Sequence, residues 1–286
     1  MSDAALEDRV RSVAEDSDFY EMTCSTVRSD VQTRVRSETY DEDLGQAGWM
    51  QAAEAHEFAS WLGSGVTSVL DVACGSGGVS ALLAQDVGAE VTGIDVDPHA
   101  VAAANERGAN RCSFRVLDAN ERLPFADGSF DVVFSNDSVH HLQDRSAVLR
   151  DWARVLRPEG QVLFTEGLVL TGPVSNEEVR RRTFIGFFMV TPPGANERAI
   201  DAAGLVLERA EDRSGAVAEV GGRMRAARDR YRDEVIAAEG AETFEAFQDF
   251  LDVAVSLASE RRLSRWVFLA RKASGPCREQ KLGSAV

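Results

Sequence analysis

Three carboxylates stand where short apolar segments of the chain end. Asp71 lies just before the run CGSGG at 74–78, Asp95 comes twenty positions after Gly75, and Asp118 closes a third apolar segment. Glycines at such a turn let a ligand approach the backbone, because a side chain would block the approach. A carboxylate in the place of Asp95 can accept hydrogen bonds from both hydroxyls of a ribose, and one in the place of Asp118 from an adenine amino group. These residues predict a site for an adenine nucleoside.

The charge of Asp71 indicates which nucleoside derivative fits. A dinucleotide-binding loop has the pattern GxGxxG or GxGxxA and sets a helix N-terminus against a pyrophosphate. Here the third position is Ser80, and the Asp71 carboxylate would repel a pyrophosphate. The same carboxylate would suit the ammonium group of a methionine moiety. The charges therefore favour S-adenosyl-L-methionine (SAM) over a nicotinamide dinucleotide.

Two consecutive histidines, His140 and His141, follow the apolar segment at 130–135. Ligands of open α/β folds bind at the carboxyl edge of the sheet, where we expect these side chains. Histidine can serve as a general base near neutral pH. We predict that His141, ahead of His140, removes the proton of a reacting acceptor. The alternative is that the two rings only pack or orient the loop.

The elements that must position these residues alternate in type from residue 66 onward. Apolar runs and helical spacing predict strands at 66–72, 90–95, 112–117, 130–135 and 161–165, and helices at 80–86, 98–107 and 145–156. Continuous apolar strands between helices imply an α/β fold with a parallel sheet covered on both faces. Two further strands are expected from 205 and at 264–271, and residues 216–260 show helical spacing throughout.

These patterns divide the chain into five segments. We expect an N-terminal helical lid at 1–65, a SAM-binding domain at 66–210, a helical insertion at 211–262, the last strand at 263–272 and a flexible tail at 273–286. The insertion is expected to cap the acceptor site or to form the surface of a homodimer. The lid is expected to close the other side of the site.

The composition narrows the class of partner. A formal net charge of −16 would repel nucleic-acid phosphates and anionic lipid surfaces, so neither nucleic acid nor membrane is expected as a partner. No run approaches the roughly 18 apolar residues of a membrane span, and the charged N-terminus lacks the apolar core of a signal peptide. Four separated cysteines without a CxxC pair predict no disulfide framework and no metal site, and they fit a reducing cytoplasm.

Five segments in order carry a resemblance to a known family. The set DVACGSGG, VTGIDVD, LDA, LPFADGSFDVVFSNDSVHHL and LRPEGQVLF, within residues 66–168, resembles the class I SAM-dependent methyltransferases. The resemblance implies a Rossmann-like, doubly wound sheet of seven strands whose last strand is antiparallel. It also implies methyl transfer from SAM to an oxygen, nitrogen or carbon atom of a small molecule, with S-adenosyl-L-homocysteine as product, and it fits an enzyme of secondary metabolism. In many relatives the last two strands form a hairpin, whereas here about 50 residues separate them.

The resemblance also implies which residues hold SAM. The expected contacts are Trp49, Asp71, Ala73, Gly75, Ser76, Gly77, Asp95, Val96, Asp118, Ala119 and Asn136. Trp49 belongs to a segment that closes over the methionine end of SAM in relatives. The segment at 136–142 also resembles that of phosphoethanolamine methyltransferases, which pair such a histidine with an N-terminal tyrosine. Tyr40 is the matching residue here, and its alternative role is to anchor the lid.

Two other functions stay open at this stage. A nicotinamide-dependent oxidoreductase would share the fold class, although Asp71 and Ser80 argue against it. A SAM-binding protein without catalysis would share the binding residues and would transfer no methyl group to any acceptor.

Overall fold

One mixed sheet of seven strands organises the protein. The computed structural model describes residues 29–183 and 188–273. Its strands are β1 Ser68–Val72, β2 Glu90–Asp95, β3 Cys112–Val116, β4 Phe130–Ser135, β5 Leu156–Leu170, β6 Leu205–Asp212 and β7 Leu263–Lys272. Their order in the sheet is β3-β2-β1-β4-β5-β7-β6. The first five strands are parallel, and β7 runs antiparallel between β5 and β6. The strand order reverses beside β1, which places a ligand crevice at the carboxyl ends of β1 and β4.

Helices cover both faces of the sheet. They are α1 Asp30–Thr39, α2 Ala52–Trp61, α3 Gly78–Val87, α4 Pro98–Arg107, α5 Arg145–Val155, α6 Asn176–Arg182, α7 Ala195–Ala202, α8 Ser214–Arg230, α9 Arg232–Glu239 and α10 Ala241–Ser259. Side chains that cap the helix N-termini explain where several helices begin. Asp97 accepts a hydrogen bond from the His99 amide, and Pro98 follows at the first helical position of α4. In the described part of the chain, no helix combines the length and apolarity needed to cross a bilayer.

Alternating residues of the strands belong to two separate apolar cores, one on each face of the sheet. Leu70 and Val72 of β1 pack with Trp152 of α5 on one face of the sheet, and Val69 packs with Phe58 of α2 on the other. This alternation follows from the two-residue period of a strand. Both faces are therefore closed to water, and the strand ends are left as the place for a ligand.

A third apolar cluster joins the N-terminal segment to the insertion. Val31 and Val35 of α1, Tyr40 and Trp49 share it with residues of α8, α9 and α10, among them Phe250. On the rim of this contact, the Tyr231 hydroxyl donates to Glu38 at 2.7 Å. The insertion between β6 and β7, which we call the cap, therefore packs against the N-terminal segment, and the two form one helical layer.

The structure confirms the predicted fold class and most predicted elements. Three differences have physical causes. Residues 158–160, which separate the predicted helix at 145–156 from the predicted strand at 161–165, form a bulge within β5, because β4 pairs on both sides of them. Helix α6 was not predicted, although Ser175 and Glu178 form a capping box at its start. Residues 40–51, expected as part of a mostly helical lid, contain no helix. Predictions for residues 1–28 and 274–286 lie outside the described residues.

Candidate active site

The glycine-rich loop after β1 forms the floor of the crevice. Ala73, Gly75 and Gly77 adopt φ of +59°, +54° and +75°, a left-handed conformation that favours glycine. A Cβ on Gly77 would lie 2.7 Å from the Phe114 ring, so a larger residue does not fit there. A Cβ on Gly78 would overlap the Leu44 carbonyl, because the N-terminal segment crosses the start of α3. The loop is thus shaped from below by the sheet and from above by the N-terminal segment.

Asp95 ties the end of β2 to this loop. Its Oδ2 accepts from the Gly75 amide at 2.9 Å, and its Oδ1 accepts from the Asp97 amide at 3.0 Å. Burial raises the pKa of Asp95, and the backbone hydrogen bonds oppose that rise. A carboxylate has about four acceptor positions, so Asp95 can accept further hydrogen bonds from a ligand.

Asp71 lies deeper, at the end of β1. Its side chain is buried, and Oδ2 accepts from the Ser80 hydroxyl at 2.5 Å. Burial raises the pKa of Asp71 to about 7; the Ser80 hydrogen bond opposes the rise and the Asp95 carboxylate adds to it. Asp71 is therefore a carboxyl group that a nearby cation would ionise.

Asp118 follows β3 and completes the predicted set. It accepts from the Asn120 amide at 2.8 Å, and the preceding Leu117 amide donates to the Asp95 carbonyl at 2.9 Å. Val96, which follows Asp95 in the chain, is 65% exposed, whereas Ala119 packs partly into the core. The structure thus brings Asp95, Val96 and Asp118 to one sheet edge.

The segment after β4 is held by a buried ionic network. The Arg265 side chain is fully buried; its Nε donates to Asp137 Oδ1 at 2.7 Å and its Nη1 to both oxygens of Glu54 at 2.8 and 2.9 Å. Arg265 Nη2 donates to Asn136 Oδ1 at 3.1 Å. The Trp49 amide donates to Asp137 Oδ2 at 2.9 Å. Burial raises the pKa of Glu54, and the Arg265 charge opposes the rise.

The N-terminal segment is fastened to the loop at several points. Ser76 Oγ donates to the Gly45 carbonyl at 3.0 Å, and Arg107 donates to the Leu44 carbonyl at 3.0 Å and to the Ser76 carbonyl at 3.1 Å. The buried Tyr40 hydroxyl donates to the Gly48 carbonyl at 2.8 Å. Burial raises the pKa of Tyr40, with a further contribution from the Asp137 carboxylate.

The predicted histidines lie side by side but in different surroundings. His140 is 3% exposed, and its Nδ1 lies 3.2 Å from Glu166 Oε1. This is ion-pair distance, yet Nδ1 makes no hydrogen bond in this conformation, so we treat the contact as electrostatic. Glu166 is fully buried and also accepts from Arg145 at 2.5 Å and from the Leu168 amide at 2.8 Å. His141 is half-buried, and its ring centroid lies 4.6 Å from that of Phe188.

Part of the chain is similar in sequence to a known protein family. Residues 70–164 match a family described as a methyltransferase domain. This match spans about a third of the chain. A 2-methyl-6-phytyl-1,4-hydroquinone methyltransferase of Synechocystis is 41% identical over 102 residues, covering 34% of this chain and 32% of the relative. The 27-O-demethylrifamycin SV methyltransferase of Amycolatopsis mediterranei is 32% identical over 152 residues, covering 50% of this chain and 56% of the relative.

Solved structures show a likeness in fold that extends beyond the matched residues. Phosphoethanolamine N-methyltransferase 2 of Haemonchus contortus, solved in complex with S-adenosyl-L-methionine, superposes with a TM-score of 0.70 at 22% identity. The match covers 78% of this chain and 53% of that chain. The class I methyltransferase fold is therefore established. The chain spans only about a third to about half the length of the curated relatives named above.

The residues at the carboxyl edge of the sheet fit a cationic nucleoside. Asp95 pairs in the sheet with Val116, which is 50% exposed, and Val96 is exposed next to it. Apolar side chains exposed beside a carboxylate suit an adenine ring attached to a ribose. Asp71 supplies a buried carboxyl group for a positive charge. No group of three or more His, Cys, Asp or Glu is placed to hold a metal ion within 29–183 and 188–273.

The charged residues that hold this site together do not belong to any of the motifs described above. Glu54, Asp137, Arg265 and Glu166 were not singled out. One signal was available: Glu166 and Arg265 interrupt otherwise apolar strand segments, LFTEGL and LSRWVFL. A charge inside a buried strand requires a partner.

Proposed function

We propose that this protein is a SAM-dependent methyltransferase (EC 2.1.1.-) acting on a small molecule. The observation that carries the proposal is the placement of Asp95 against the Gly75 amide, 2.9 Å away, at the point where the strand order of a class I methyltransferase sheet reverses. The SAM-bound structure with the same fold supports this ligand. The nucleoside would lie along Asp95, Val96 and Asp118, and its methionine end would lie towards Asp71 and the loop.

SAM, when bound, supplies a methyl group on a sulfonium: the acceptor atom bonds to that carbon as the carbon–sulfur bond breaks, and the electron pair stays on sulfur. The residues of the chain align the acceptor with that carbon, which is worth ~7–11 kcal/mol in favourable cases. The lid and the cap exclude water while they do so.

An acceptor that carries a proton on the reacting atom needs a general base to remove it. A base held by a carboxylate is a common arrangement, because the carboxylate orients the ring and stabilises its charged form. His140 has such a neighbour in Glu166, which Arg145 in turn holds in place. We therefore propose His140 as the base oriented by Glu166, and His141 stays the alternative from the sequence. Tyr40 serves in this proposal as an anchor of the lid.

The proposal is tested by measuring donor binding directly. Isothermal titration of SAM and S-adenosyl-L-homocysteine should show binding, and Asp95→Asn should weaken it by roughly 1.5–3 kcal/mol, the scale of hydrogen bonds to a charged group. Glu90→Gln is the matched control, because Glu90 is an exposed carboxylate at the opposite end of β2. Absence of binding in the wild type, or equal affinities of the Asp95 and Glu90 variants, would reject the proposal.

A second candidate is a SAM-binding protein that transfers no methyl group. Incubation with labelled SAM and a panel of small phenols, amines and hydroxy acids distinguishes the two. Binding without transfer to any of them would favour the second candidate. No comparison supports the oxidoreductase alternative, and NADH should not compete with SAM in the titration.

The proposal also covers where the enzyme is located and whether it is a monomer. We propose a cytoplasmic enzyme whose helical layer covers the acceptor rather than joining two subunits. Sedimentation equilibrium at micromolar concentration should give a monomer mass; a dimer mass would assign the insertion to a homodimer surface instead.

A further inference from the structure

A buried arginine and a buried asparagine lie behind the proposed base. Arg145 belongs to α5, and Asn196 is the second residue of α7. Arg145 Nη1 donates to Asn196 Oδ1 at 2.8 Å, and its Nη2 donates to Glu166 Oε2 at 2.5 Å. A guanidinium presents its N–H donors in a rigid planar fork, so the bond to Asn196 fixes the direction of the bond to Glu166. The start of α7 therefore helps to position Arg145 against the carboxylate.

The ion pair with Arg145 determines the chemical form of Glu166. The Glu166 side chain is fully buried, and a buried carboxylate needs a cationic partner. In the part of the chain that the structure describes, no other arginine and no lysine is paired with it. The Leu168 amide also donates to Glu166 Oε1 at 2.8 Å. With these partners Glu166 is an ionised carboxylate, which accepts hydrogen bonds and donates none.

His140 faces this carboxylate through one of its two ring nitrogens. Nδ1 lies 3.2 Å from Glu166 Oε1. A neutral imidazole carries hydrogen on one nitrogen and a lone pair on the other. A lone pair on Nδ1 would be repelled by the negative oxygen, whereas an N–H dipole is attracted to it even without the angle of a hydrogen bond. The carboxylate therefore favours hydrogen on Nδ1 and a lone pair on Nε2.

The backbone and the ring face of His140 are held as well. The Met189 amide donates to the His140 carbonyl at 2.8 Å. The Phe188 ring stacks on the imidazole, with centroids 5.2 Å apart and an interplanar angle of 15°. A half-turn of the imidazole about its bond to Cβ would move Nδ1 away from Glu166, and these contacts oppose that turn. The ring is thus kept in the orientation in which Nδ1 meets the carboxylate.

We propose that Arg145 is a positioning residue of the base: it keeps Glu166 ionised, which fixes the hydrogen of His140 on Nδ1 and leaves Nε2 to take the proton of the acceptor. The inference rests on the proposed function and names the basic atom of its site. In the reaction the Nε2 lone pair bonds to that proton, and the electron pair left on the acceptor atom bonds to the methyl carbon as the carbon–sulfur bond breaks. The imidazolium formed then has its Nδ1–H towards Glu166, whose negative charge stabilises it.

Nuclear magnetic resonance of the ring nitrogens tests this assignment without an acceptor. The chain has four histidines, and a His140→Asn protein identifies the signals of His140 by their loss. Spectra that correlate ring nitrogens with ring C–H protons in the nitrogen-15-labelled protein distinguish a nitrogen that carries hydrogen from one that does not. They are recorded at pH 8.5, above the ordinary histidine pKa of about 6.5. In the wild type we expect hydrogen on Nδ1 of His140 and none on Nε2.

Replacing Arg145 by methionine should move that hydrogen to Nε2. The change leaves the Glu166 carboxyl group buried without its cation, so the group takes up a proton. The protonated group donates towards Nδ1, which then becomes the acceptor. Arg145→Lys keeps a positive charge and should keep the hydrogen on Nδ1. Arg150→Met is the matched control, because Arg150 is exposed on the same helix, and it should give the wild-type spectrum.

Two outcomes would overturn the proposal. Hydrogen on Nε2 of the wild type, alone or together with Nδ1, does so without any Arg145 variant, so the test survives a variant that fails to fold. A folded Arg145→Met protein in which His140 keeps its hydrogen on Nδ1 also does so, because Arg145 would then only support the fold. Affinity for S-adenosyl-L-homocysteine is measured on the same wild-type sample. Its absence would reject the proposed function, whatever the position of the hydrogen.

Discussion

Arg265 Nε lies 2.7 Å from Asp137 Oδ1, and this ion pair joins the last strand of the sheet to the segment that follows β4. Asp137 has a φ of +48°, and its other oxygen accepts from the Trp49 amide. One carboxylate therefore fixes the strand-end segment and the lid at the same time. Burial favours protonation of Asp137, but the Arg265 charge and the hydrogen bonds outweigh it and lower the pKa.

Replacing Arg265 by methionine should destabilise the protein strongly. The change leaves the buried Glu54 and Asp137 carboxylates without their cation, which costs about 3–5 kcal/mol for a broken buried pair. Urea unfolding at pH 7.5 measures the loss. Arg271→Met is the matched control, since Arg271 lies on the same strand with a half-exposed side chain and surface pairs contribute at most about 1 kcal/mol. A loss below about 1 kcal/mol for Arg265→Met would contradict the role given to the network.

Local signals in the sequence were enough to predict much of the fold. The bounds of β2, α4 and β4 agree with the structure, because each is an apolar or amphipathic run with a clear start. Asp97 and Pro98 mark the start of α4 by capping. In the site, Asp95 and Gly75 were expected together, and they form a hydrogen bond. Residues such as these can be expected to meet because they follow neighbouring strands of a known topology.

The rest depends on contacts between distant parts of the chain. Arg265 contacts Glu54 across 211 positions and Asp137 across 128, and no local pattern encodes such a pairing. The bulge at 158–160 was missed for a similar reason, since pairing with β4 overrides the local preference of Pro158-Glu159-Gly160 for a turn. Arg182 follows two arginines that pair at the surface, and its burial depends on the packing of Trp49 and Phe250, which lie far from it in the sequence.

The two histidines should respond differently to substitution. With an acceptor found by the labelled-donor screen, His140→Ala should lower kcat by ~10²-fold, the ordinary contribution of a general base. His141→Ala should lower it less than tenfold if His140 is the base, and the reverse order would assign the base to His141, as the sequence favoured. Single-turnover kinetics isolate the chemical step.

Glu166→Gln should lower kcat while leaving donor affinity unchanged. The amide fills the same space and still accepts from Arg145, but it no longer supplies a negative charge 3.2 Å from His140. We expect a fall of roughly 10-fold, with the dissociation constant of S-adenosyl-L-homocysteine within twofold of the wild type. A matched fall in donor affinity would mean that Glu166 supports the fold of the site rather than the base.

Asp71 should make stability depend on pH in a defined direction. Its pKa is about 7 in the folded protein against an ordinary 3.8, so between these values the folded state holds a proton that the unfolded chain has lost. Stability without donor therefore falls as pH rises from about 4 to 7. The difference corresponds to at most about 4 kcal/mol. Asp71→Asn should be more stable than the wild type at pH 8 and equal to it at pH 4, by urea unfolding at both pH values.

Donor binding should offset the cost of ionising the buried Asp71 carboxyl group if that group faces a cation. An ammonium near the carboxyl group favours its ionised form, so SAM should bind the wild type more tightly as pH rises through 7 and should release a proton at pH 6. Titration in two buffers of different ionisation enthalpy measures the released proton. An Asp71→Asn protein that shows the same pH dependence would remove Asp71 from the donor site.

Arg107 should control how fast the donor leaves. Its guanidinium donates to the Leu44 and Ser76 carbonyls at 3.0 and 3.1 Å, so it fastens the N-terminal segment over the glycine-rich loop. Arg107→Met keeps most of the side-chain stem and removes both hydrogen bonds, each worth about 0.5–1.5 kcal/mol. We expect dissociation of S-adenosyl-L-homocysteine to be roughly 3–10-fold faster by stopped-flow tryptophan fluorescence. Arg111→Met is the control, because Arg111 donates to the Gly88 carbonyl at the C-terminal end of α3, away from the loop. If both variants released the ligand at the wild-type rate, the N-terminal segment would not be the barrier that the donor crosses on its way out.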